Sequence, residues 1–209
     1  MAMEKYYGKN HEMDAKNDRM ICSRYASVFI GQVSLKSNLF GFECGDGWLG
    51  ILEGTLSLIQ KNSERSEVRV NIRQIKEKFG QLRIYYQGGD EITRVVVEIA
   101  EIVSGGICEL CGRQGESQSI LGWLQTRCAE HSINASSSQS DSYNSSSYSL
   151  EYSEAVDAIC SMFKTTSAAW VKSPALAFGT RRPYELLNSI DGCKDVIRLI
   201  KRLEYGVLI

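Results

Sequence analysis

The sequence predicts an α+β fold in two parts. A small unit of helices, a β-hairpin and a cysteine–histidine knuckle comes first, followed by a serine-rich linker and then an all-α segment. Three observations carry this reading. Strict apolar alternation appears on both sides of Gly80. Serine dominates the run from Ser132 to Ser149, which has almost no aliphatic residues. Beyond Leu150 every apolar pattern has helical spacing.

In chain order, residues 1–18 read as a flexible leader, charged and without an apolar stretch that would make an export signal. Arg19 to Gly31 carries Met20, Ile21, Tyr25, Val28 and Phe29 at the spacing of a short amphipathic helix. Gly45-Asp46-Gly47 is a turn, and Asp46 is placed to cap a helix in which Trp48, Leu49, Leu52, Leu56 and Ile59 share a face. From Glu67 to Ile75 the chain alternates, with Val68, Val70, Ile72 and Gln74 on one side and Arg69, Asn71 and Arg73 on the other. Leu82, Ile84 and Tyr86 alternate in a second strand that Gly88-Gly89 ends. Asp90 then caps a helix with Val95, Val96, Ile99 and Ile102 as its stripe.

The segment 132–149 is too poor in apolar surface to offset the entropy of ordering and reads as a tether. It divides an α+β unit, 19–131, from a helical unit, 150–209. In the latter, Ala155, Val156, Ile159, Met162 and Phe163 form one stripe, and Trp170 centres a short helix that Pro174 interrupts. Pro183 suits a first helical position. Asp191 is placed to cap a last helix whose core face is Val196, Leu199, Ile200 and Leu203. Gly206 is a C-terminal stop, and Val207-Leu208-Ile209 follows as an apolar tail.

Composition bounds the function. The chain has 209 residues, 43% of them hydrophobic, and a formal net charge of -1. That near-neutral balance argues against a dedicated nucleic-acid binder. No apolar run is long enough for a membrane span, and the expectation is a cytoplasmic protein. Seven cysteines without an export signal do not read as a disulfide framework. Cys22, Cys160 and Cys193 lie in apolar-periodic stretches as small buried hydrophobes; Cys44 sits in a glycine-rich turn and is expected to be partly exposed.

The remaining three cysteines are clustered. Cys108-Glu-Leu-Cys111 is followed, after sixteen intervening residues, by Cys128-Ala-Glu-His131. Two such pairs can set three thiolates and one imidazole at the corners of a tetrahedron, a donor set that suits zinc. Four protein ligands leave no open position for water, so the metal is expected to be structural. Glu109 and Glu130 read as solvent-facing spacers. The only other histidine is His11 in the leader, which is poor material for general acid–base chemistry, and no enzyme is expected.

With these residues in place the first part resembles a small zinc-binding domain of phage and bacterial proteins. The match runs over roughly residues 40–131 through Gly45-Asp46-Gly47-Trp48, KEKFGQLRIYYQGGD at 76–90, ICELCG and GWLQTRCAEH. That resemblance implies the zinc and the fold rather than an activity.

The C-terminal part, residues 168–209, resembles the toxin-binding domain of Xre/MbcA/ParS-type antitoxins. The residues that carry it are Trp170, Gly179, Arg181, Pro183, Leu186, Leu187, Val196, Leu199, Ile200 and Glu204-Tyr205-Gly206-Val207. The resemblance implies an antitoxin or immunity protein that neutralises a RES-domain toxin, a class that consumes NAD. Its helices would pack on the toxin while its tail approaches the active-site cleft. Arg181, Arg182, Pro183, Leu187, Tyr205, Gly206, Val207, Leu208 and Ile209 are the implied toxin contacts. Family members typically carry a helix-turn-helix ahead of this domain and repress their own operon. Here a zinc-bearing unit takes that place, as a second contact surface, a homodimer element or a stability module.

Two other readings stand beside this one. A nucleic-acid-binding regulator would use the zinc unit and the basic hairpin of Arg65, Arg69, Arg73, Lys76, Lys78 and Arg83, with Phe79, Tyr85 and Tyr86 nearby. Its low net charge speaks against nucleic acid as a partner. An enzyme would have to use carboxylates near the zinc unit.

Overall fold

The computed structural model describes residues 12–34, 38–120, 122–132 and 144–206. Most of the leader with His11, the centre of the serine-rich segment and Val207, Leu208 and Ile209 lie outside the described residues.

Helix α1, Ala15–Arg24, begins inside the expected leader because Asp14 accepts a hydrogen bond from the Lys16 amide. Its buried Asp18 accepts from the Phe40 and Gly41 amides and from the Cys22 thiol. A turn at Asp46–Trp48 leads into α2, Leu49–Ser66. Asp46 does not cap this helix; its carboxylate instead accepts from the Asp14 amide and the Asn17 side chain, fastening α1 down.

The hairpin follows as β1, Val70–Lys78, and β2, Gln81–Gly88, paired antiparallel. A bulge between Ile72 and Gln74 shifts the register by one position. A one-residue slip exchanges the faces of a strand, so Ile75 is buried where Gln74 was expected. Helix α3, Glu91–Ser104, starts with a reciprocal cap in which Asp90 accepts from the Thr93 amide and Thr93 returns to Asp90. It packs on β2 and α2. A second hairpin, β3 at Glu116–Ile120 and β4 at Trp123–Arg127, joins the two halves of the cysteine–histidine cluster.

Helix α4, Ser145–Phe163, starts four residues before the expected end of the tether. Asn144 caps it by accepting from the Ser147 amide. Tyr148 and Tyr152, one turn apart and stacked at 5.7 Å, are both buried. Those two rings supply the apolar anchor that a serine count alone conceals. Helices α5, Ser167–Lys172, α6, Pro183–Leu186, and α7, Ile190–Glu204, complete the chain. Pro183 is at the first turn of α6 as expected, whereas Ser189 rather than Asp191 caps α7.

The two parts share one continuous cluster of buried residues, running from Met13 and Trp48 through Ile99 to Tyr152, Val196 and Ile200. Helix α2 lies at its centre, against α3 on one side and α4 on the other, with α7 packed on α4. Gly54 makes this crossing possible. A Cβ there would stand 2.7 Å from the Tyr152 ring and 3.0 Å from the Ser149 carbonyl. No described helix is long and apolar enough to cross a membrane.

Candidate functional site

The first candidate site is the cysteine–histidine cluster. Cys108 and Cys111 flank a tight turn between α3 and β3; Cys128 and His131 lie in the turn after β4. The one-atom donors of Cys108, Cys111, Cys128 and His131 all lie within 4.8 Å of one another. The Cys111 and Cys128 sulfurs are 3.6 Å apart, and His131 Nδ1 is 3.5 Å from Cys108 Sγ and 3.3 Å from Cys128 Sγ. A tetrahedron with zinc-like bond lengths has edges of about 3.8 Å between sulfurs and about 3.6 Å from sulfur to nitrogen. The donor set therefore fits, and the four residues can hold a metal ion. Cys111 is lowered to about 4, first by the hydrogen bond from Cys108, and the same bond raises Cys108.

The surroundings fix these turns. Trp48 Nε1 donates to the Ile107 carbonyl at 2.9 Å, and the Gly47 amide donates to the Glu109 carbonyl at 2.8 Å. Gly47 has to be a glycine here, because a Cβ would stand 2.2 Å from the Cys108 carbonyl oxygen. Thus the Gly-Asp-Gly-Trp motif is the backing of the first knuckle. Glu109 is not the solvent-facing spacer expected from its sequence position. Its carboxylate is buried, accepting from the Gly45 amide at 3.1 Å and from Arg127 at 3.0 Å. Glu130 is half-buried, and its carboxylate pairs with the Arg113 guanidinium, which holds that carboxyl below its ordinary range. Cys44, expected to be partly exposed, is fully buried, and burial pushes its thiol well up.

The second candidate site is the exposed face of the C-terminal helices. Arg181 and Arg182 are exposed, as are Tyr205 and Gly206. Pro183 and Leu187 are buried inside the chain, and the Leu187 carbonyl accepts from the Tyr148 hydroxyl at 2.8 Å. These two residues support the face from within. Leu176 and Tyr205 are exposed at 90% and 83%. Between the Phe178 loop and α7 lies a cleft of about 470 Å³ lined by Phe178, Arg181, Arg198 and Arg202. Only Arg198 of its three guanidiniums is in an ion pair among the described residues, with Asp195. Trp170 stacks on Phe163 at 4.5 Å and is half-buried.

This half of the chain is where the comparisons speak. Residues 163–206 match the family model of the antitoxin Xre/MbcA/ParS C-terminal toxin-binding domain. The match supports an antitoxin role that involves binding a toxin. It spans α5, α6 and α7 with their connecting loops and leaves α4, apart from its last residue, Phe163, and the unit with the cysteine–histidine cluster outside. No curated protein and no solved structure is matched by the chain.

Sequence reasoning missed three parts of the sites. The β3–β4 hairpin was not expected, although the turn at Gly122 between two five-residue runs was a signal for it. The buried Glu109–Arg127 pair joins residues that only the tertiary fold brings together. Asn188 was also missed; it accepts from Gln114 at 2.9 Å and thereby links the knuckle to the C-terminal helices.

Proposed function

We propose that this chain is an antitoxin that neutralises a RES-type, NAD-consuming toxin by binding it stoichiometrically and covering its active-site cleft. The observation that carries this reading is the coincidence of the antitoxin match at residues 163–206 with the exposed Leu176, Leu203 and Tyr205. Burying aliphatic and aromatic side chains of this size in a partner contributes roughly 1.5–3 kcal/mol each at full burial. Arg181, Arg182, Tyr205 and Gly206 would make contacts at the rim, and Val207, Leu208 and Ile209 would enter the cleft. This chain's residues bind and exclude; they turn nothing over.

Cys108, Cys111, Cys128 and His131 would hold zinc, which when bound supplies a closed tetrahedral cross-link and no open position for chemistry. Its role in this reading is to fix the unit on which α2 and α4 are seated.

The test is co-expression with a RES-domain toxin, reading cellular NAD and co-purification. Full-length protein is expected to co-purify and preserve NAD. A variant lacking Val207–Ile209 is expected to co-purify and fail to preserve it. Undiminished protection by that variant removes the cleft-occlusion model, and failure of the full chain to bind any RES-domain toxin removes the partner.

A further inference from the structure

We propose that the outer face of the β1–β2 hairpin is a binding surface for single-stranded nucleic acid. Between residues 69 and 88 the chain carries five cations, Arg69, Arg73, Lys76, Lys78 and Arg83, against the single acid Glu77. The near-zero net charge of the whole chain conceals this local excess. Lys76 stands directly across from Arg83 in the register. Like charges in that position destabilise a hairpin. Neither residue, nor Lys78, forms an ion pair among the described residues. The nearby acids are occupied: Glu77 accepts from the Gly80 amide at 2.6 Å, Glu43 accepts from Gln74 at 2.6 Å, and Glu101, the carboxylate that Arg83 feels, accepts from the Ile84 amide at 3.0 Å.

The aromatic side chains point to the kind of polyanion. Phe79 occupies the hairpin turn with φ of 57° and is 66% exposed. A bulky side chain in the left-handed region is strained, and turns of this kind favour Asn-Gly over Phe-Gly. The ring has little packing to recover that cost, so neither the backbone nor the core explains a phenylalanine here. Its neighbour Lys78 lies 5.4 Å from its ring centroid, and Lys76 lies 5.2 Å from the exposed Tyr85 ring. The tip is also held in place. Thr126 on β4 donates to the Gly80 carbonyl at 2.5 Å, and Trp123, 65% exposed, lies three residues along that strand, about 10 Å at the usual strand rise.

Rings beside lysines on a fixed surface match the chemistry of an unpaired strand, whose bases stack while its phosphates meet the cations. A duplex keeps its bases inside its own stack, and an acidic polypeptide would engage the lysines without using the rings.

The experiment uses the full-length protein and fluorescence anisotropy with a labelled oligothymidylate of about 20 nucleotides, a duplex of equal length and labelled polyglutamate. The expected result is preference for the single strand, with log affinity falling against log salt at a slope of about -2 for three neutralised phosphates. Phe79→Asn is the informative variant, because asparagine tolerates the left-handed turn. It is expected to raise or leave unchanged the melting temperature while weakening single-strand binding roughly 5- to 150-fold, the range for one lost stacking contact. Lys76→Ala with Lys78→Ala is expected to reduce the salt slope. Equal binding of the duplex or of polyglutamate, no binding at low salt, or undiminished binding by Phe79→Asn would each overturn the proposal.

Discussion

Glu109 and Arg127 form an ion pair at 3.0 Å with both side chains almost wholly withdrawn from solvent. One follows Cys108 and the other precedes Cys128, so the pair ties together the two turns that carry the candidate metal donors. Arg127 also donates to the Thr126 carbonyl and the Gln125 side chain, while Glu109 takes the Gly45 amide. Both charges are thereby compensated, which is the condition under which a buried ion pair is tolerated.

Removing one partner leaves the other charge stranded. Glu109→Gln is expected to cost about 3–5 kcal/mol in denaturant unfolding. The double variant Glu109→Leu with Arg127→Met should recover most of that loss, since apolar residues of similar volume replace a buried pair with little penalty. Equal losses in the single and double variants would refute the account.

Metal binding and folding of the knuckle are coupled if the four donors act as one set. Elemental analysis is expected to find one zinc per chain. Chelation should lower the melting temperature and release amide protection from residues 107–131, leaving α2 and α4 protected. Cys128→Ser should reproduce the effect without chelator. A chain that melts identically with and without chelator would contradict the proposed structural role.

Gly54→Ala tests the helix crossing. The new methyl would meet the Tyr152 ring at 2.7 Å. Overpacking of this kind costs about 1–3 kcal/mol, against a helix-propensity gain of about 1 kcal/mol. A net loss of stability is expected, and pairing the change with Tyr152→Leu should relieve it. A more stable Gly54→Ala protein would show that α2 and α4 do not approach this closely.

The Glu98 carboxyl lies below its ordinary 4.5, first because Lys172 on α5 hydrogen-bonds to it at 2.7 Å. A folded-state value below the unfolded one means the stabilisation is complete above about pH 4.5 and is lost as pH falls through the lowered value. The pair is partly solvated, so its worth at neutral pH is at most about 1 kcal/mol. Lys172→Met is expected to lower the melting temperature slightly at pH 7, and the gap to the parent protein should close as the solution is acidified below pH 4.5. A gap that widens in acid would reverse the assignment.

What the sequence revealed depended on the range of the interaction. The donor set at Cys108, Cys111, Cys128 and His131 was legible because each pair is set by local spacing. Asp90 as a cap and Pro183 as a helix start were legible for the same reason. The buried Glu109 was not legible, because its partner is eighteen residues away and its burial depends on Gly45 and Gly47, some sixty residues earlier. The bulge at Ile72 was equally hidden, since alternation read along one strand does not show where a partner strand skips a residue. The start of α4 was concealed by serine, whose helix propensity is ordinary and whose neighbours Tyr148 and Tyr152 do the anchoring.

Tyr148 precedes the point at which the serine-rich run ends, and its hydroxyl reaches the Leu187 carbonyl on the far side of the helical half. A fragment cut at Leu150 would lose that latch and leave the α4 surface opposite Gly54 without its cover. The C-terminal helices are consequently not an interchangeable cassette. Grafting them onto an unrelated N-terminal head would require a substitute for α2, and shortening the chain to the family-matched stretch would remove part of its own foundation.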